Sequence, residues 1–300
     1  MACFYLTYFP THPILRSERS QCQDQFFVLD LVSKFVTNMV GFSGGITSWA
    51  AAKRIAEREG TNGMALVFCD TRIEDPTLYD FVREAADNVG APLHVIQDGR
   101  TPHQIFRDVK FMGNARIDPC SKHLKRDLLD AWRERNGSPQ WTVYNVGLDW
   151  TEMHRVRKLR SRIAPWMARA PLASKPLLSK AQVIEWAKSE GLTPCNLYDE
   201  GFPHANCGGT CCKAGIAQWE LLHRTHPDRF AEWEDNEQWM LENVSPNAYM
   251  LRDRRGGETT PLTLRMLRER IEKHDRENPC LPMLSADEAM DWGGCGCAVG

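Results

Sequence analysis

The sequence predicts an α/β fold: a parallel sheet covered by helices on both faces, followed by a cysteine-rich, mostly helical C-terminal region. Three observations carry that prediction. Over residues 39–163, short apolar runs alternate with stretches of helical period, the rhythm of strands joined by crossover helices. The run MALVFC at Met64–Cys69 is apolar at every position instead of every second one, as in a strand buried on both faces. Polar or glycine residues then stand at three strand ends, at Ser43-Gly44-Gly45, Asp70-Thr71 and Gly147-Leu148-Asp149. In such sheets ligands sit beyond the carboxyl ends of the strands.

Taken in order, residues 1–38 show no steady period, carry Pro10 and Pro13, and are expected to form a loosely ordered leader. Residues 40–42 form the first strand. Ile46–Glu59 is helical, with Trp49, Ala52 and Ile55 recurring at helical spacing and Gly60 ending it. After the Met64–Cys69 strand, Pro76 opens a helix to Val89 whose inner face carries Leu78, Phe81, Val82 and Ala85. Residues 92–96 make a third strand, helices follow near 103–111 and 124–134, and residues 141–146 make a fourth strand. Met153–Ile163 is a basic helix. Beyond residues 171–178 come a helix at 180–190, a cysteine loop, one long helical stretch at 216–240 and a last helix near 263–273. The expected division is a leader at 1–38, an α/β domain at 39–178 and a cysteine-rich region at 179–300.

The first strand end invites an anion. Gly44 and Gly45 permit backbone conformations closed to other residues and let a ligand approach the main chain. The first N–H groups of the following helix have no partner within it and lie at the positive end of its dipole. Hydroxyls of Ser43, Thr47 and Ser48 add donors, which together describe a phosphate cradle. The plainer alternative is an ordinary strand–helix turn with a hydroxyl cap.

Composition narrows the partners. With 300 residues, 42% of them hydrophobic, the chain can build one large core or two smaller ones. A net charge of -2 gives no global pull toward nucleic acid or membrane, though a local basic surface is compatible with it. No apolar run reaches the roughly 18 residues of a membrane span, and the first residues lack the charged-then-apolar order of a signal peptide. A cytoplasmic protein without membrane partners is expected. Its eleven cysteines, clustered and in a reducing compartment, then suggest metal or redox chemistry more than disulfides.

Five segments in this order resemble a known family. SGGITS after a strand resembles the PP-loop of the adenine-nucleotide α-hydrolase superfamily, and FCDTRIEDPTLYDFV resembles the second strand and helix of its phosphoadenosine phosphosulfate (PAPS) reductases. IDPCSKHLKRDLL looks like the reductase segment with a cysteine and a lysine before a leucine-rich helix. GLDWTEMHR resembles the family's glycine, acidic and arginine stretch. LYDEGFPHANC looks like the segment before a cysteine pair in iron–sulfur members, which include adenylylsulfate reductases and the DNA phosphorothioation sulfurtransferase. The resemblance covers roughly residues 39–230. It implies a Rossmann-like sheet, an adenine nucleotide (ATP, PAPS or adenylylsulfate) and sulfur-related chemistry.

Three departures accompany it. Thr47 stands where the PP-loop usually carries Asp, which bears on how magnesium, an expected companion of ATP, would be handled. The terminal Glu-Cys-Gly-Leu-His segment of the reductases is absent, and the tail offers Cys295 and Cys297 instead. Three residues separate Cys207 from Cys211, where many relatives have two.

The expected site follows. Ser43, Gly44, Gly45, Thr47 and Ser48 bind phosphates, Gly147 belongs to the same cofactor-binding set, and Asp70 and Thr71 line the adenosine pocket, Asp70 having a helix cap as its alternative. Lys125 and Arg155 clamp phosphate, with Lys122, Arg126 and His154 as further candidates against the alternative of a solvated basic face. Ser43, Lys125, Arg155, Cys295 and Cys297 are the candidate catalytic residues. Cys207, Cys211 and Cys212 lie in a glycine-rich loop, and by the resemblance Cys120 joins them. A [4Fe–4S] cluster is favoured over zinc, each wanting four ligands, with Cys212, Cys295 or Cys297 as the fourth. Partners would be a reductant or sulfur-donor protein and an acceptor, either small or a nucleic acid. The rival reading is a nucleotide- or nucleic-acid-binding module with structural zinc, whose basic stretch at 154–162 holds a phosphate backbone.

Overall fold

The computed structural model describes residues 36–279 and 281–293. Cys295 and Cys297, and the leader up to residue 35, lie outside the described residues. The centre is a five-stranded parallel sheet of β1 (Asn38–Gly41), β2 (Met64–Cys69), β3 (Leu93–Ile96), β4 (Val143–Val146) and β5 (Met167–Arg169), in the order β3-β2-β1-β4-β5. Gly41 lies opposite both Val67 and Val146. The winding therefore reverses between β1 and β4, which opens a crevice at their carboxyl ends. This is the Rossmann-like α/β architecture the sequence predicts.

Side-chain alternation explains the unbroken apolar run of β2. Leu66 and Phe68 join Val40 and Phe42 in one core, while Val67 and Cys69 join Met39 and Tyr144 in the other. Each fully buried side chain of this size contributes about 1.5–3 kcal/mol. The first core receives α1 (Ile46–Glu59) and α2 (Pro76–Val89), and the second receives α5 (Met153–Ile163). Between them run α3 (Pro102–Val109) and α4 (Asp127–Asn136). Arg54, buried on α1, donates to the carbonyls of Pro171, Ser174 and Pro176 and so ties the helix to the chain beyond β5.

The C-terminal region is helical: α6 (Lys180–Ser189), α7 (Ile216–Thr225), α8 (Pro227–Asn243), α9 (Leu264–Glu277) and α10 (Ala286–Ala289). Several expectations need correction. The single helix expected at 216–240 is two, because Pro227 has no N–H to continue the first and instead starts the second. The helix expected at 124–134 is preceded by a short turn at Pro119–Ser121 and a π-helical turn at Lys122–Arg126. The strand β5 and the hairpin of β6 (Leu251–Asp253) with β7 (Thr260–Leu262) were not foreseen, being only three residues each.

Candidate functional site

The glycine loop joins β1 to α1. Gly44 has φ +77°, and a Cβ there would lie 2.6 Å from Leu78 Cδ2, so glycine is required twice over. Gly45 caps α1 without any side-chain hydrogen bond, leaving the helix N-terminus to other partners. One has arrived from far away in sequence: the Tyr198 hydroxyl accepts the Ile46 N–H at 3.1 Å. The Ser43 hydroxyl oxygen lies 3.4 Å from the Gly45 N–H and accepts from it. Ser48 is buried and donates to the Gly45 carbonyl at 2.7 Å, so its hydroxyl turns into the helix. Thr47 is partly exposed on the same turn. At the end of β4, a Cβ on Gly147 would come within 2.6 Å of the Ser48 nitrogen. Gly147 thus lets β4 pass directly under the cradle.

At the end of β2, Asp70 accepts from the Arg72 N–H at 2.8 Å and from the Tyr79 hydroxyl at 2.7 Å. Thr71 is buried and donates to Glu74 Oε1 at 2.9 Å. Glu74 is the hub that sequence reading missed. Its side chain is fully buried; Oε1 lies 3.4 Å from Lys125 Nζ, and Oε2 accepts the Cys207 N–H. The available signal was an acid three residues after Thr71, and nothing local marked its distant partners.

Lys125 comes from the π-helical turn, a distortion that often re-aims side chains at functional sites. It lines two pockets. One includes Ser43, Cys69 and Tyr144 at the end of β1. The Cys69 thiol is pushed up to about 12 by burial, so it stays protonated and apolar in character. The second pocket is lined by Cys120, Cys207, Cys211 and Cys212 together. Lys125 Nζ lies 3.9 Å from Cys207 Sγ.

The cysteine loop is held in an unusual backbone form. Cys207, Gly208 and Gly209 all have positive φ, at 57°, 60° and 82°. A Cβ on Gly208 would lie 2.7 Å from the Ile73 carbonyl oxygen. Arg229 on α8 donates to the Gly208 carbonyl at 2.9 Å and pairs with Asp75, the cap of α2, at 2.7 Å. Cys120 Sγ and Cys212 Sγ are 3.9 Å apart. Hydrogen bonds with Cys120 and with Cys211, then burial, hold the Cys212 thiol well above its ordinary pKa. Among the described residues no group of three or more His, Cys, Asp and Glu is arranged to hold a metal ion. The four cysteines that line this pocket supply the donor type of a Cys₄ set for an iron–sulfur cluster or zinc, without the converged geometry of one.

The remaining candidates are dispersed. Arg155 pairs with Glu152, the residue just before its helix. His204 has its pKa lowered to about 4 through burial and then the charges of Lys180 and Arg155. Tyr198, His204 and Lys180 are residues the sequence did not single out; Tyr198 and His204 lie within LYDEGFPHANC, Lys180 well before it, and Tyr198 alone bonds to the cradle. Lys122 pairs with Asp127 and Arg126 with Asp118, at 2.8 and 3.2 Å. His154 is exposed.

The sequence matches no protein-family model and no curated protein. Solved structures do resemble it. Phosphoadenylyl-sulfate (PAPS) reductase from Candida auris in a phosphate complex is 15% identical, covering 64% of this chain and 95% of its own, with TM-score 0.40. A U34-tRNA thiolase from Methanococcus maripaludis with its [4Fe–4S] cluster is 15% identical, covering 75% of this chain and 82% of its own, with TM-score 0.43. An NH3-dependent NAD synthetase from Campylobacter jejuni is 12% identical, covering 88% and 98%, with TM-score 0.37. All three belong to the PP-loop, or adenine nucleotide α-hydrolase, superfamily that the sequence resembles. Likeness at this level says nothing about chemistry. The fold class rests on the sheet order and the glycine loop of this chain. Among the described residues no helix is long and apolar enough to cross a membrane.

Proposed function

We propose that this chain is a PP-loop enzyme, active in the cytoplasm, that binds an adenine nucleotide on Ser43–Gly44–Gly45 and the first turn of α1 and performs sulfur-related chemistry beside a cysteine-held cluster. One observation carries the reading: Lys125 lines both the pocket that includes Ser43 and the pocket that includes all four candidate ligands. A cation at that junction stabilises negative charge passing between a bound nucleotide and a thiolate site. Ser43 and the backbone N–H groups at the start of α1 receive phosphate oxygens. Thr47 occupies the place of the usual Asp, and magnesium would accompany ATP with that change. Asp70, Thr71 and Gly147 shape the sugar and base side of the site. Arg155 supplies positive charge for a second anionic group.

Cys120, Cys207, Cys211 and Cys212 would hold the cluster, which when bound offers an iron site for sulfur or electron transfer. Lys125 and the Cys207 N–H bond to Glu74 keep that loop against the nucleotide side. The nucleotide-binding part is residues 39–178 and the cysteine-rich part 179–300, with 1–38 as leader. Two reactions fit: sulfonucleotide reduction with Cys295 or Cys297 as attacking thiol, and ATP-dependent adenylation of an acceptor followed by sulfur transfer from a donor protein.

Calorimetry on anaerobically purified protein tests this with magnesium-ATP, adenylylsulfate and PAPS. Preference for a sulfonucleotide selects reduction, and the double change Cys295→Ser, Cys297→Ser then abolishes sulfite release. Preference for ATP selects adenylation. Binding of none overturns the reading, and zinc without iron or sulfide would favour the structural-zinc module instead.

A further inference from the structure

A second concavity lies on the other side of the cysteine loop. It encloses about 1070 Å³ open to solvent between residues 111–117, 213–216 and 247–254. Arg116, Lys213, Arg252 and Arg254 line it, against Asp291 as its one acidic lining residue among those described. Arg254 reaches Asp291 only at 4.0 Å and is 69% exposed at its side chain. Among the described residues no carboxylate pairs with Arg116 or Arg252. A wall with this excess of positive charge is costly to assemble without an anionic partner, because like charges repel and each long side chain gives up freedom to stay in place.

The same wall carries apolar surface of a particular kind. Phe111 is 38% exposed. Tyr249 has the Arg252 guanidinium 5.4 Å from its ring centroid, so ring and cation present a shared flat surface. Two aromatic rings, Phe111 and Tyr249, beside arginines suit a chain of anionic phosphates and unstacked bases, the arrangement that binds single-stranded nucleic acid. A free phosphate or mononucleotide would use one cation and leave the length of the wall unfilled. Lys213 lines both this groove and the cysteine pocket, with its Nζ 3.5 Å from Asp118 Oδ2. The groove and the cysteine pocket therefore share Lys213 as a common wall.

We propose that this groove binds a single strand of nucleic acid and, resting on the sulfur-transfer version of the function above, presents one of its nucleotides to the cysteine pocket as acceptor. Fluorescence anisotropy with labelled single-stranded DNA and RNA of about a dozen nucleotides, a length one groove of this kind covers, tests the binding directly. The unmodified protein should bind, with affinity falling as salt rises. The triple variant Arg116→Ala, Arg252→Ala, Arg254→Ala should bind about tenfold or more weakly and flatten the logarithmic salt dependence by about two, at roughly 0.7 for each single-strand phosphate left without its cation. Phe111→Ala should weaken binding and leave that slope unchanged. Equal binding by the triple variant, equal preference for duplex, or no binding by the unmodified protein would each overturn the proposal. Calorimetric nucleotide binding, run on the same variants, separates the two readings: its loss in the unmodified protein overturns the proposed function and leaves the groove standing.

Discussion

The glycine cradle and the cysteine pocket share Lys125 as a neighbour, yet they are built by opposite means. The cradle is one contiguous segment whose shape is backbone: a positive φ at Gly44, a helix N-terminus at Gly45 with no side-chain cap of its own, and close passage of Gly147. The cysteine pocket is assembled from segments as far apart as Cys120 and Cys212, which are 92 residues distant in sequence. Its loop is latched by side chains from elsewhere, Glu74 and Arg229. A site made of backbone tolerates distant changes and fails on local ones. A site made of converging side chains does the reverse.

That contrast can be broken most forcefully at Glu74. Glu74→Ala takes the carboxylate away from buried Lys125 and removes the acceptor of the Cys207 N–H. Unfolding in urea should show a loss of about 3–5 kcal/mol, the cost of stranding one partner of a buried pair. Iron content should fall with little change in nucleotide affinity; equal loss of both would show that the two regions are one unit. Gly44→Ala is next. The left-handed backbone costs about 1–2 kcal/mol and the clash with Leu78 about 1–3 more. Here nucleotide affinity should collapse while iron content holds, and an unchanged affinity would remove the loop from the site. The smallest effect should come from Tyr198→Phe, which crosses the boundary because a C-terminal side chain caps the cradle. Loss of one hydrogen bond to the Ile46 N–H costs about 1 kcal/mol. Calorimetry should find nucleotide affinity altered by less than about tenfold, since that bond is worth under the ~1.4 kcal/mol of one decade.

Much of the fold was legible. Ile46–Glu59, Met64–Cys69, Pro76–Val89 and Met153–Ile163 stand where the apolar periods and the Pro and Gly boundaries put them. These elements are long enough for a period to register, and their ends carry residues with strong local preferences. The strands β5, β6 and β7 are too short to show a period and exist because of what they pair with. Helical spacing on both sides of Pro227 concealed two helices as one.

The candidate site divides along the same line. The glycines, the strand-end polar residues and the cysteine cluster drew notice because each is unusual where it stands. Glu74 did not, since an acid near a helix start reads as an ordinary cap. Tyr198, His204 and Lys180 had no local oddity at all, and Ser48 looked like a ligand donor until its hydroxyl was found bonded to Gly45.

By itself the sequence determined the alternating βα order, the glycine turn after β1 and the supply of thiols, because sterics and hydrophobic period act over a few residues. Only the tertiary structure decided that Cys120 meets Cys212, that Glu74 holds both Lys125 and the cysteine loop, and that Lys213 faces both the thiols and a basic groove. Those meetings depend on how the whole sheet and its helices pack, a sum of many weak attractions that no short stretch encodes.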